Sequence, residues 1–185
     1  LMEHLGTDLV LVGSGSIRKK TFGPIVTLQD LMEIFPFNGR IYAAKLYGRD
    51  LKHAICYICR DEMLEGHTEF YQVSSNVRIN YNFAQKKLLQ FTVNGEDVED
   101  DRLYTVALQA YHFNNISSCL DIPEEAVPGY DHPKCIATSD FDILLEHFNS
   151  AAHLTSHIDG RFTISMRRFG HGVGMSQRGA QWMAG

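Results

Sequence analysis

The strict alternation of side chains in the middle of the chain constrains the fold most. From Tyr71 to Ile79, Tyr, Val, Ser, Val and Ile occupy every second position, with polar residues between them. A two-residue period is typical of a strand with one buried and one solvated face. The alternation continues over Leu89–Val93 and stops at Asn94-Gly95, a pair typical of a two-residue hairpin turn. We therefore expect strands over both segments and a hairpin that returns the chain towards Val98.

Helix signals surround this hairpin. Thr27 with Asp30, and Ser139 with Asp142, form capping boxes that predict helix starts. From Arg49 onward, apolar residues recur at helical spacing and predict another helix, with Gly66 as its stop. Because helices and strands alternate irregularly, we expect an α+β domain, a mixed sheet with a hairpin and flanking helices, rather than a doubly wound parallel sheet.

Four more apolar runs predict strands, and one long polar stretch predicts a loop over Asn114–Thr138. The composition changes again in the last twenty residues, which are rich in glycine. We therefore divide the chain into a domain over 1–165 and a separate tail over 166–185. The four further strands are expected over Asp8–Val12, Ile41–Leu46, Tyr104–Tyr111 and Arg161–Ser165.

Composition excludes several classes of protein. Of 185 residues, 44% are hydrophobic and 21% charged, which is typical of a folded domain. The formal net charge of −5, without a basic block, argues against binding to nucleic acid or to an anionic membrane surface. No apolar run is long enough for a membrane span, and the N-terminus has neither a signal peptide nor an initiator Met. We expect a fragment of a longer protein or a mature form.

The cysteines and histidines offer only weak metal signals. Cys56 and Cys59 have metal or redox spacing, yet both fall inside the predicted helix, with Cys59 on its apolar stripe. Buried structural cysteine is the favoured interpretation, and a zinc site shared with Cys119 and Cys135 is the alternative. The four cysteines do not settle the redox compartment. We expect no metal site in this chain.

Six short motifs, in a fixed order, resemble the C-terminal domain of the 5'-nucleotidase family. The resemblance runs from about Leu5 to Ile164, which is most of the chain. The motifs are GSGSIR (Gly13–Arg18), GPIVT (Gly23–Thr27), FPFNG (Phe35–Gly39), LYGRDL (Leu46–Leu51), EFYQVSSNVRI (Glu69–Ile79) and YTVAL (Tyr104–Leu108).

The resemblance implies a substrate-binding role for four residues. In that family an N-terminal metallophosphoesterase domain holds two metal ions, and the C-terminal domain binds the nucleoside part of the substrate. The positions nearest to the two aromatic rings that hold the base are Phe70 and Tyr111, and Asn38 matches a position that hydrogen-bonds the base or ribose. Arg18, beyond a glycine loop, suits a phosphate.

Each of these residues also has a structural interpretation. Arg18 could pair with a surface carboxylate, Phe70 and Tyr111 could be core residues, and Asn38 could be a turn residue. The sequence also departs from the family after Tyr111, where a Gly-Gly-Asp-Gly stretch is absent and Ser117 is nearest to the missing acidic, hydroxyl-binding residue. Losing those glycines removes a close approach of the backbone to a ligand.

The tail, FGHGVGMSQRGAQWMA, resembles the C-terminal motif of the stage II sporulation protein D family of peptidoglycan lytic transglycosylases. If the tail has a role in this chain, His171, Ser176 and Gln177 are the polar groups that would line a glycan site. The favoured alternative is a flexible end, because glycoside cleavage ordinarily needs a carboxylic acid and the motif lacks it.

The sequence therefore predicts the nucleotide- or nucleoside-binding domain of a 5'-nucleotidase-type phosphohydrolase. Its partner would be a separate two-metal catalytic domain, so divalent metal ions are expected there and no cofactor in this chain. The chain alone is expected to be inactive. The alternative is a bacterial cell-wall module indicated by the tail. The resemblance implies an extracellular or cell-wall-associated location.

Overall fold

A computed structural model describes residues 6–19, 21, 23, 25–63, 65–66, 68–150 and 158–165. These residues form two β-sheets with α-helices packed around them. The strands are β1 (Leu9–Gly13), β2 (Ile41–Tyr47), β3 (Tyr71–Val73), β4 (Val77–Asn82), β5 (Lys87–Val93), β6 (Glu96–Asp97), β7 (Leu103–Gln109), β8 (Lys134–Ala137) and β9 (Phe162–Ser165). The helices are α1 (Leu28–Ile34), α2 (Gly48–Ile58), α3 (Ala110–Asn114), α4 (Ile116–Leu120) and α5 (Asp140–Ser150).

Both sheets are mixed. Sheet A has the order β3-β1-β7-β2-β8, in which β1 and β7 are parallel and the other neighbours are antiparallel. Sheet B has the order β6-β5-β4-β9, in which only β4 and β9 are parallel within the described residues. The expected α+β fold with a hairpin and flanking helices is confirmed.

The predicted hairpin joins β5 to β6. Asn94 and Gly95 both adopt left-handed backbone conformations, with φ of 55° and 83°. Two left-handed residues are what a type I′ turn requires, and its twist matches that of the flanking strands. Val93 accordingly pairs with Glu96 across the turn.

The single strand expected over Tyr71–Ile79 is wrong, because the chain changes sheets within it. The Oγ of Ser74 accepts a hydrogen bond from the amide of Val10 at 3.0 Å. The Nδ2 of Asn76 donates to the carbonyl of Asp8 at 2.8 Å. These side chains satisfy backbone groups that strand pairing would otherwise satisfy, so β3 ends in sheet A and β4 begins in sheet B.

The helix starts are where the capping residues predict them. The Thr27 hydroxyl accepts from the amide of Asp30 at 3.2 Å, and the Asp30 carboxylate accepts from the amide of Thr27 at 3.0 Å. Helix α2, however, ends at Ile58 rather than near Gly66. The side chain of Arg60 donates to the carbonyl of Tyr57 at 2.9 Å and satisfies one of the last carbonyls of the helix.

Two predicted elements in the second half of the chain differ from the structure. The strand expected over Tyr104–Tyr111 ends at Gln109, and Tyr111 lies in α3. The loop expected over Asn114–Thr138 contains α4 and β8. Ile116 and Leu120 are four residues apart and fully buried, so one apolar helix face packs into the core despite the polar composition around it.

Helix α2 packs against β2 of sheet A and β5 of sheet B, so its apolar face joins the two sheets. Leu51, Ile55 and Ile58 on this face are 1% exposed or less. None of the helices within the described residues is long and apolar enough to cross a membrane.

At one edge of sheet A, formed by the ends of its strands, β1, β7 and β8 end where β2 and β3 begin.

Candidate functional site

A cleft of about 690 Å³ lies at this edge of sheet A. The loops that follow β1 and precede β2 and β3 contribute to it, as do the end of β7 with the start of α3, and the start of α5. Because it is assembled from five segments distant in sequence, the sheet fixes its shape. It is lined by Gly15, Ser16, Arg18, Pro36, Phe37, Asn38, Gly39, Glu69, Gln109, Ala110, Tyr111, His112 and Asp140.

Glu69 and His112 form a hydrogen-bonded pair on the wall of the cleft. The Nε2 of His112 lies 3.0 Å from Oε2 of Glu69, and the amide of Gly15 donates to Oε1 at 2.7 Å. Partial burial opposes ionisation of Glu69, but the bonds from His112 and Gly15, with the nearby charge of Arg18, outweigh it and lower the pKa of this carboxyl. An ionised carboxylate only accepts, so Nε2 of His112 carries the shared proton.

Two glycines make room for this pair. A Cβ on Gly13 would collide with Oε1 of Glu69 and with Nε2 of His112. A Cβ on Gly15 would lie 2.7 Å from Oε1 of Glu69. The backbone at these two glycines therefore approaches the Glu69 carboxylate more closely than any residue with a side chain could.

Three buried polar side chains, linked by hydrogen bonds, also line the cleft. The hydroxyl of Ser16 donates to Oε1 of Gln109 at 2.7 Å, and Nε2 of Gln109 donates to Asp140 at 2.8 Å. The other carboxylate oxygen of Asp140 accepts from the amide of Gly39 at 2.9 Å. Ser16, Gln109 and Asp140 are each less than 9% exposed. Their mutual bonds fix the loop before β2 relative to the loop after β1.

Arg18 lies at the mouth of the cleft, beside Phe37. Its amide donates to the carbonyl of Ile34 at 2.7 Å, which anchors the backbone to the end of α1. The guanidinium lies 5.1 Å from the centre of the Phe37 ring, a cation–π distance. Among the described residues Arg18 forms no ion pair, so the paired-carboxylate alternative for this residue finds no support there.

Three of the four residues that the resemblance singled out line this cleft: Arg18, Asn38 and Tyr111. Tyr111 is 67% exposed, so its ring is not part of the core. Asn38 is also exposed. The ring of Tyr111 lies 5.3 Å from the imidazole of His112, nearly perpendicular to it.

Phe70 is placed elsewhere. Its ring packs against Phe162 of β9 at a centroid distance of 4.9 Å and does not line the cleft. The aromatic residue that accompanies Tyr111 there is Phe37, which is 44% exposed. The sequence feature that could have indicated Phe37 is its position between Pro36 and Asn38 in the FPFNG motif.

The described residues show no group of three His, Cys, Asp or Glu side chains able to hold a metal ion, so no step through a metal is assigned to this chain. Cys59 is fully buried, as its place on the apolar stripe predicts, and burial raises its pKa to about 12. Its thiol is therefore protonated and inert. The tail residues His171, Ser176 and Gln177 lie outside the described residues.

Comparison with known families identifies the domain. The model of the 5'-nucleotidase C-terminal domain matches residues 1–119. The chain belongs to this family. The match ends before β8, α5 and β9, so Asp140 of the cleft lies beyond it. A comparison with curated proteins gives no match.

Solved structures of longer proteins share the fold of this 5'-nucleotidase C-terminal domain. A 5'-nucleotidase precursor from Thermus thermophilus superposes with a TM-score of 0.66 at 18% identity, over 88% of this chain and 32% of its own. The NAD nucleotidase of Haemophilus influenzae gives 0.71 at 17%, over 90% and 32%. A putative 5'-nucleotidase from Staphylococcus aureus gives 0.65 at 17%, over 90% and 35%. The chain thus spans about a third of the length of these proteins.

Proposed function

We propose that this domain binds a nucleotide in the cleft and positions its phosphate for a separate two-metal phosphohydrolase domain. The observation that carries the proposal is the meeting of two exposed aromatic side chains, Phe37 and Tyr111, with the guanidinium of Arg18 in one cleft. Aromatic surface and a cation match the two ends of a nucleotide.

The base is assigned to the two rings. Exposure of a large aromatic side chain to water is unfavourable, and stacking on a base reduces that exposure. Each stacked base contributes about 1 to 3 kcal/mol to binding. Stacking tolerates different bases because each has a π-face. In this proposal Phe37 replaces Phe70 as the partner of Tyr111, since the ring of Phe70 is already packed against Phe162.

The phosphate is assigned to Arg18. Its guanidinium is exposed at the mouth of the cleft and has planar, paired donors that suit a phosphate. Because the described residues offer no metal cluster, the hydrolytic step is assigned to another domain, and this chain contributes positioning. Neighbouring structures of about three times this length support such an arrangement.

Titration of the chain with AMP and adenosine, followed by NMR, tests the proposal. We expect shifts centred on Arg18, Phe37 and Tyr111. Phe37→Ala and Tyr111→Ala should each weaken binding by about 1 to 3 kcal/mol through lost stacking. Phe70→Leu is the matched aromatic control and should leave the affinity unchanged. Absence of binding, or a loss with Phe70→Leu but not with Phe37→Ala, would contradict the assignment.

The cell-wall alternative depends on the tail, which lies outside both the described residues and the matched family region. It stays a prediction, as does the extracellular or wall-associated location. Adding peptidoglycan fragments to the same NMR experiment tests it, since a response confined to residues 166–185 would favour a glycan-binding role for the tail.

A further inference from the structure

Glu69 is the more accessible of the two carboxylates that line the cleft. Asp140 is 7% exposed, and each of its oxygens accepts one hydrogen bond, from Gly39 or from Gln109, so burial shields its remaining acceptor positions. The Glu69 side chain is 26% exposed, and each of its oxygens accepts one hydrogen bond from the protein. A carboxylate has about four acceptor positions, so two on Glu69 remain for a ligand.

The contacts of Glu69 connect it to the segments that carry Arg18 and Tyr111, to which the phosphate and the base are assigned. One oxygen is bound by Gly15, three residues before Arg18 in the same loop. The other is bound by His112, whose ring contacts that of Tyr111. A nucleotide with its phosphate at Arg18 and its base at Tyr111 would therefore place its sugar beside Glu69.

Glu69 is held ionised and in a fixed position. His112 is 3% exposed and also contacts the ring of Tyr71, 5.1 Å away. The glycines at positions 13 and 15 leave just enough space for the pair. An anionic acceptor held in this way is complementary to hydrogen-bond donors of a ligand, and on a sugar these donors are hydroxyl groups.

We propose that Glu69 is a specificity-determining residue that accepts hydrogen bonds from the ribose hydroxyls and so selects ribonucleosides over sugars without hydroxyls. This inference rests on the proposed nucleotide function. Nucleosides are the suitable probes, because they carry the sugar without the phosphate that Arg18 would attract.

The test compares adenosine with 2',3'-dideoxyadenosine by calorimetric titration of the 185-residue chain. We expect adenosine to bind about ten- to a hundredfold more tightly, the range for hydrogen bonds to a charged acceptor. Glu69→Gln should remove most of this preference and leave the affinity for dideoxyadenosine unchanged. Glu125→Gln, on an exposed residue outside the cleft, is the matched control and should keep the full preference.

Each other outcome has a separate meaning. If neither nucleoside nor AMP binds, the proposed function fails and this inference fails with it. Equal affinities for the two nucleosides overturn the role of Glu69 while the proposed function stands. A preference that survives in Glu69→Gln assigns the hydroxyls to another group. An equal loss for both ligands places Glu69 against the base, which also overturns the proposal.

A second measurement covers the case in which Glu69→Gln does not fold, as judged by circular dichroism. In the unaltered chain, adenosine should shift the NMR signals of the Glu69 carboxylate carbon and of the Gly15 amide more than dideoxyadenosine does. Equal shifts at saturation would overturn the proposal without any variant.

Discussion

Sheet B and the cleft edge of sheet A bury different kinds of side chain. The central strands of sheet B bury Val77, Ile79 and Phe91, each under 5% exposed. The cleft edge buries Gln109, His112 and other polar residues. Burying a polar group costs free energy unless it is hydrogen-bonded, whereas burying an apolar one is favourable by itself. Sheet B thus supplies stability, and the cleft edge uses paired polar groups to fix a shape.

The largest expected effect is on the stability of sheet B. Ile79→Ala in β4 should lower the free energy of unfolding by about 2 to 5 kcal/mol, because it leaves a cavity in the core. Urea unfolding measures this, and AMP binding by the folded fraction should be unchanged. Leu89→Ala in the neighbouring strand is the control, since Leu89 is 49% exposed. Equal losses in the two variants would remove the contrast between buried and exposed positions.

At the cleft edge, Asp140→Ala should reduce both stability and binding. It leaves the amide of Gly39 and the Nε2 of Gln109 without their acceptor, at a cost of about 1 to 3 kcal/mol. Because the loop that carries Phe37 loses its anchor, AMP affinity should fall as well. Glu146→Ala, an exposed position on the same helix and away from its start, should change neither by a comparable amount. A loss of stability without a loss of affinity would show that this anchor does not shape the site.

Acid should weaken the cleft edge through Glu69. Its folded-state pKa lies below its usual value, so its contribution to stability is complete above about pH 4.3, the pKa expected in the unfolded chain, and is lost as pH falls through the folded pKa. Unfolding free energies measured between about pH 6 and 3 should fall more steeply for the native chain than for Glu69→Gln. Parallel curves for the two proteins would show that Glu69 is not stabilised in the folded state.

The smallest effect is expected at the surface. Asp101 is 93% exposed at the side chain and pairs with Arg49 at 2.7 Å. Exposed ion pairs contribute between about 0 and 1 kcal/mol, because water screens them. Asp101→Asn should therefore change the urea midpoint little and leave AMP binding unchanged. A loss of stability as large as that of Asp140→Ala would mean that exposed and buried polar contacts contribute equally to stability.

Local signals in the sequence predicted the elements that depend on local chemistry. The Asn94-Gly95 turn and the Thr27 capping box need only neighbouring residues, and both are confirmed. The break between β3 and β4 was missed because Ser74 bonds to Val10 of β1 and Asn76 to Asp8 just before it, each more than sixty residues away in sequence. A period of two residues describes which side chains are buried and says nothing about which sheet receives them.

The residues of the cleft show the same difference between local sequence signals and contacts of distant residues. Arg18 and Asn38 could be found because they stand in short motifs that resemble a family, and Tyr111 because it closely follows one. Glu69 begins another of these motifs, but its pairing with His112 could not be predicted, since the two residues are 43 positions apart and no catalytic pattern joins them. Phe37 lies within a motif, but its exposure beside Arg18, on which its place in the proposed site depends, is visible only in the structure.

The parallel pairing of β4 with β9 has a consequence for biosynthesis. One side of β4 pairs with β5 directly after it in the chain, but the other side is completed only by Phe162–Ser165, much later in the sequence. Until that late segment is made, the nascent chain carries an open row of amides and carbonyls beside apolar residues. Such an unpaired border is where a neighbouring copy adds most readily, so a version truncated before residue 158 should aggregate during expression.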